Sequence, residues 1–271
     1  MKRGLIGIAA VTSLLATGAF AADLPMRAYP AVFAEPLFNW TCFYLGGNIG
    51  YSWGRSSDSS TLTNTAGTVL FASAGTTDLN GVVGGGQIGY NWQIQNWVWG
   101  LEADIQGTNE KGTRSFVCPA GVCIPTPVGV AAIAGRPVPV ALNQKIDWFG
   151  TVRGRVGVLA TPTLLLYATG GLAYGEVNTG ETTAALTPFS TNATNFGWTA
   201  GAGIEGVIGG NWTARLEYLY VDLGRVNGAF LTTLAAFGGG VLSANYSSRV
   251  TDNIVRVGIN YKFNSPLVAR Y

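Results

Sequence analysis

The chain contains no histidine. That removes Ser-His-Asp and Cys-His catalysis and nearly every imidazole metal site. Charge is scarce too. Asp, Glu, Lys and Arg make up 11% of the residues, against roughly 25% in an ordinary soluble domain. The net charge is +2, and no run of Lys and Arg tracks along the sequence as a phosphate-binding stripe would, so no nucleic-acid partner is expected. Only three cysteines are present. With no His, Cys118-x4-Cys123 and the remote Cys42 make a poor zinc set. Beyond the first residues no run of about 18 apolar residues occurs, so no later membrane helix is expected. Yet 48% of the chain is hydrophobic and the mean hydropathy is +0.27. Apolar surface without spanning helices needs another home, and a barrel whose alternate residues face lipid supplies one.

The start reads as an export signal. Lys2 and Arg3 precede an apolar stretch, Leu5 to Leu15, and Ala19-Phe20-Ala21 is a small-x-small cleavage site. An uncleaved anchor is the alternative, but the apolar stretch is short for a spanning helix. The division expected is a signal peptide over 1–21, an extended periplasmic leader over 22–40, a barrel over 41–263 and a C-terminal extension over 264–271. The leader carries three prolines between Ala22 and Asn39 and shows no period.

From there the chain alternates with period 2. Trp97, Trp99, Leu101, Ala103 and Ile105 oppose Glu102, Asp104 and Gln106. Trp148, Val152, Val156 and Val158 oppose Asp147, Thr151, Arg153 and Arg155. Similar alternation runs through 43–53, 82–92, 198–205, 214–220 and 255–263, while 164–177 alternates poorly but is still read as a strand. Tight turns fall at 93–96, 160–163 and 209–211, and long connections near 54–78, 109–143, 178–194 and 224–250. Short and long alternate strictly. The fold class expected is all-β: an eight-stranded antiparallel up-and-down transmembrane β-barrel with short periplasmic turns and long extracellular loops. Aromatics near segment ends form a candidate girdle: Trp53, Trp92, Trp97, Trp148, Trp198, Trp212 and Phe263. An aromatic core with coincidental end placement is the plainer alternative.

Two stretches match G-x-G-x-x-G, at Gly84, Gly86, Gly89 and at Gly201, Gly203, Gly206. Both sit inside period-2 runs with no helix to follow, so a nucleotide site is not expected. The chemistry-bearing set is instead a group of charges on the polar parity: Glu102, Asp104, Glu205 and Glu217 against Arg153, Arg155, Arg215 and Arg256, with Asp147 and Lys262 toward the ends. Facing lipid, each Arg or Lys would cost roughly 2–4 kcal/mol near the midplane. They are therefore expected inside, as a lumen charge network of paired acids and bases. Such a network is either a plug or a narrow gated pore; eight strands leave a lumen that side chains can fill, which favours the plug. Cys118 and Cys123 flank a short loop and, in an oxidising compartment, could pair; two free thiols are the alternative. The apolar loop residues Phe230, Leu231, Leu234 and Phe237 suit a partner, the outer leaflet or self-packing.

The ordered segments FNWTCFYLGGNIGYSWG, GGGQIGYNWQ, WVWGLEADIQG, DWFGTVRGRVG, YATGGLAYG, GWTAGAGIEG, WTARLEYLYVDLG and DNIVRVGINYKF, after AADLP, span nearly the mature chain. In them the chain resembles the small porin-like outer-membrane proteins and immunogenic surface antigens of alphaproteobacteria. The resemblance implies an eight-stranded barrel at the cell surface with a role in envelope integrity, in contact with outer-membrane lipid and lipopolysaccharide and with the barrel-assembly machinery. Porin annotation often accompanies such relatives, and some bind haem or host components. Here haem would need Tyr, Met or Cys contacts, since His is absent. The expectation is a non-enzymatic surface barrel with a charge-filled lumen and no cofactor or metal; a narrow solute pore and a haem or host-ligand receptor are the alternatives.

Overall fold

The computed structural model describes residues 38–64, 66–118, 137–183, 189–234 and 240–263. The expected signal peptide, the leader up to residue 37 and the C-terminal extension lie outside them. Among the described residues are nine strands: β1 (Cys42–Asn64), β2 (Val69–Ile94), β3 (Trp97–Thr108), β4 (Lys111–Cys118), β5 (Val138–Thr161), β6 (Leu164–Thr183), β7 (Phe189–Gly209), β8 (Trp212–Leu234) and β9 (Gly240–Phe263). Except for β3 and β4, consecutive strands pair antiparallel, and β1 pairs with β9 to close the ring. β3 and β4 share one stave, because both pair with β5. The ring therefore has eight staves. The break at Asn109–Glu110 is patched: Val82 N donates to Asn109 Oδ1 at 2.8 Å and Ile146 N to the Glu110 carbonyl at 3.2 Å.

The register fixes the geometry. Paired residues followed once round the ring from Trp53 run through Asn253, Tyr220, Ala200, Gly170, Gly154, Leu101 and Tyr90. They arrive at Phe43, ten residues back on β1. For eight staves about 4.8 Å apart with a rise of about 3.3 Å per residue, this stagger tilts the strands by roughly 40°. Each residue then climbs about 2.5 Å along the barrel axis.

Exposure alternates as a closed sheet requires. On β3 the pattern is eBeBeBiBeBei, with Trp97, Trp99, Leu101 and Ile105 exposed and Val98, Glu102, Asp104 and Gln106 buried. The exposed apolar set and the buried polar set invert the arrangement of a water-soluble protein, as a lipid solvent demands. β6 alternates poorly for a visible reason. Its inward side mixes Leu165, Tyr167 and Thr169 with Ala173 and Val177, because it passes apolar as well as polar layers of the lumen.

Two expectations need correction. The described parts of the stretches 54–78, 109–143, 178–194 and 224–250 are mainly strand, not loop. Ser/Thr-rich 54–63 pairs with 69–79, with one register shift between Leu62 and Thr63, and β5, β6, β8 and β9 run out in the same way. β1 and β2 are 23 and 26 residues long, whereas a membrane crossing takes about 11. Thr is a good strand former, and the ladder continues past the bilayer as an outer extension. Asp147 was expected inward, but a register shift between Ile146 and Trp148 places it partly exposed, beside Lys145.

Candidate functional site: the lumen charge network

The strands bring the charged residues of five staves to one level. Glu102 and Asp104 lie two apart on β3, and Arg153 and Arg155 two apart on β5, so each pair shares the inward face. The register sets Glu102 opposite Arg153, Glu217 opposite Arg256, and Glu205 opposite Arg215. All eight are buried, none more than 5% exposed.

Glu102 is the hub. It accepts from Arg153, from Arg215 Nη1 at 2.5 Å and from the Tyr44 hydroxyl at 2.6 Å. Asp104 accepts from Arg153 Nη2 at 2.8 Å, Arg256 Nη2 at 3.1 Å and Thr151 Oγ1 at 2.9 Å. Glu217 takes Arg256 Nε at 2.7 Å, Arg153 Nη1 at 3.2 Å and the Tyr167 hydroxyl at 3.1 Å. Glu205 takes Arg155 Nη2 at 2.8 Å, Thr213 Oγ1 at 2.6 Å and Asn260 Nδ2 at 3.0 Å. Arg155 also lies 4.0 Å from the centre of the Tyr167 ring. Four carboxylates thus meet four guanidinium groups. Such geometry can satisfy buried charges, which singly would be prohibitive. Room comes partly from Gly89, where a Cβ would stand 2.4 Å from the Tyr44 hydroxyl oxygen.

Sequence reasoning missed what lies on either side. Toward the short turns, Phe38 and Trp40, assigned to the leader, are packed into the mouth with Val98, Leu165 and Tyr167. Trp40 is fully buried. Its backbone N donates to Gln93 Oε1 at 2.8 Å and its indole N–H to the Pro162 carbonyl at 3.1 Å. The buried Lys262 ammonium lies 3.9 Å from the Trp40 ring centre and 4.2 Å from that of Phe38. Cys42 is free and buried beside them, its Sγ donating to the Trp40 carbonyl at 3.5 Å. The proline-rich context gave no hint of this; only the Phe-x-Trp pair against a lone inward Lys could have.

Toward the other end, Leu79, Val83, Ile146, Phe149, Leu219 and Ile254 form an apolar layer across the lumen. Two acids lie near this level with no Lys or Arg in ion-pair distance among the described residues: Glu110, fully buried, and Asp252, which accepts from Ser52 Oγ at 3.0 Å. Further out, Asp58 accepts from Ser56 Oγ at 2.8 Å, Thr77 Oγ1 at 3.0 Å, and Gln144 Nε2 and the Tyr246 hydroxyl, each at 3.1 Å. Burial, and then the Asp58 charge, push the Tyr246 phenol up to about 12.

The aromatics sit on the outside at two levels. Trp92, Trp97, Trp212 and Phe263 are exposed near the short turns, and Trp53 and Trp198 are exposed further out. Trp148 is half-buried at the outer level and donates its indole N–H to Glu176 Oε2 at 3.0 Å. Neighbouring rings pack, as Phe43 on Phe263 at 5.8 Å and Trp198 on Tyr220 at 5.3 Å. The ten residues from Phe43 to Trp53 span about 25 Å of axis, the height of an apolar band. Cys118 ends β4, and Cys123 lies outside the described residues, as do the side chains of Phe230, Leu231, Leu234 and Phe237.

The outer membrane protein beta-barrel domain profile matches residues 8–263. The chain is 38% identical to the 31 kDa outer-membrane immunogenic protein of Brucella melitensis, over 94% of this chain and 98% of that protein. It is 32% identical to the 22 kDa outer membrane protein of Rhizobium leguminosarum bv. viciae, over 84% of this chain and 81% of that one. Among solved structures it is similar to OprG of Pseudomonas aeruginosa, at 11% identity and a TM-score of 0.43, over 85% of this chain and all of that one. The chain belongs to the outer membrane protein β-barrel family and is a protein of the bacterial outer membrane.

Proposed function

We propose that the protein is a sealed surface barrel. It contributes to envelope integrity, carries its long strand extension outside the cell, and conducts no solute through its lumen. The observation that carries this reading is the stack of closures along one axis: the Trp40 stopper, the four-on-four charge network, the apolar layer and the Asp58 cluster. A pore needs a continuous open polar path; the Trp40 stopper and the apolar layer interrupt its polarity, and the charge network and Asp58 cluster fill it with side chains bonded to one another. The aromatic rings act as the two girdles that seat the barrel in the bilayer. The charge network is structural and not catalytic. Every carboxylate is held by an Arg, and neither a nucleophile nor a free general base stands among them. The outer extension is the part open to antibodies and to any host ligand, which fits relatives named as immunogenic proteins. Phe263 at the end of β9 is the aromatic that the barrel-assembly machinery would meet.

Liposome swelling tests the reading. Vesicles carrying the wild-type protein should exclude small sugars as protein-free vesicles do, while Arg153→Gln or Glu102→Gln should admit them. Swelling by the wild type, or variants with unchanged leak and unchanged stability, would overturn the sealed lumen.

A further inference from the structure

The register sets like charges against each other twice. Lys111 on β4 is directly opposite Lys145 on β5, and Arg225 on β8 directly opposite Arg249 on β9. All four are exposed, on the lipid-facing parity. Cross-strand partners stand about 5 Å apart, and like charges there are destabilising. A sheet that pairs cations so on two separate hairpins gains something elsewhere.

Position says where. Lys145 is three residues beyond Trp148 on β5, and Arg249 four beyond Asn253, the partner of Trp53. Both pairs therefore stand within about 10 Å of the outer aromatic level, where headgroups begin. At the inner aromatic level no exposed Lys or Arg occurs among the described residues. The cations mark one leaflet only. Neutralisation is half complete in each pair. Lys145 contacts Asp147, and Arg249 holds Asp222 at 2.5 Å, while Lys111 and Arg225 have no acid in ion-pair distance among the described residues. Each pair keeps one uncompensated, exposed positive charge close to the outer aromatic level.

We propose that Lys111–Lys145 and Arg225–Arg249 are two docking sites for the phosphate groups of the outer-leaflet glycolipid, each pair clamping one phosphate. A phosphate oxygen set between two cations removes their repulsion and adds charge-assisted hydrogen bonds. Arg supplies a planar fork to it and Lys a point charge. The sites lie outside the lumen and do not depend on whether it is sealed.

The test uses the full barrel in a neutral detergent, titrated with bis-phosphorylated lipid A and with the same lipid stripped of phosphate. Bound lipid is counted by native mass spectrometry, and the unfolding midpoint is followed in parallel. The phosphorylated lipid should bind the wild type and raise its midpoint. The Lys111→Gln, Arg225→Gln double variant should bind it about tenfold more weakly, the loss of roughly one charge-assisted hydrogen bond per site. Without lipid the double variant should be at least as stable as the wild type, since the opposed charges are gone. Equal affinity of wild type and variant, equal affinity for the stripped lipid, or the same midpoint rise from millimolar inorganic phosphate would each overturn the proposal.

Discussion

Two levels of one lumen bury charge in different ways. Between the aromatic levels, Glu102, Asp104, Glu205 and Glu217 are matched by Arg153, Arg155, Arg215 and Arg256. In the outer extension a single carboxylate, Asp58, is held by Ser56, Thr77, Gln144 and Tyr246, with no cation in ion-pair distance among the described residues. The difference teaches what each surrounding permits. At the level of the network a buried carboxylate without a guanidinium has no solvent to fall back on, so acids and bases are matched there. In the extension one charge is met by neutral donors, near the end that opens to water.

That contrast sets the order of mutational effects. Glu102→Ala strips the hub from Arg153 and Arg215, and should cost about 3–5 kcal/mol, read as the denaturant midpoint of the heat-modifiable gel shift. Asp58→Asn keeps an acceptor but turns an amide toward donors, and should cost about 2 kcal/mol. If the two losses came out equal, the contrast between the levels would be false. The extension should also respond to alkali. The half-buried Tyr246 phenol is raised to about 12, so the unfolded chain loses that proton first, near the ordinary tyrosine value of about 10. Stability should fall as pH rises from about 10 to 12, and Tyr246→Phe should flatten that limb of the melting curve. The smallest effect is expected at the inner turn, where Gln95 adopts φ 55. Gln95→Gly relieves left-handed strain and should gain about 0.5 kcal/mol; a loss there would show that the φ 55 backbone carries no such strain.

How legible all this is in the sequence follows from solvent. Where one face meets lipid and the other a polar interior, alternation is strong, and Leu101 beside Glu102 is readable at once. In the extension both faces of residues such as Ser57, Ser59 and Thr61 are polar, so period 2 vanishes and strand reads as loop. Asp147 was misplaced because one inserted residue at a bulge reverses parity. Trp40 was missed because a proline-rich approach says nothing of where its last aromatic docks. Lys111 and Lys145 are 34 positions apart along the chain, and only the register of β4 on β5 sets them face to face.

Planar-bilayer recording of the purified wild-type barrel is the most direct trial of the sealed lumen. The account predicts a silent membrane, with steps emerging only when Trp40 or a member of the charge network is removed. Reproducible unitary conductance from the unaltered protein would contradict it.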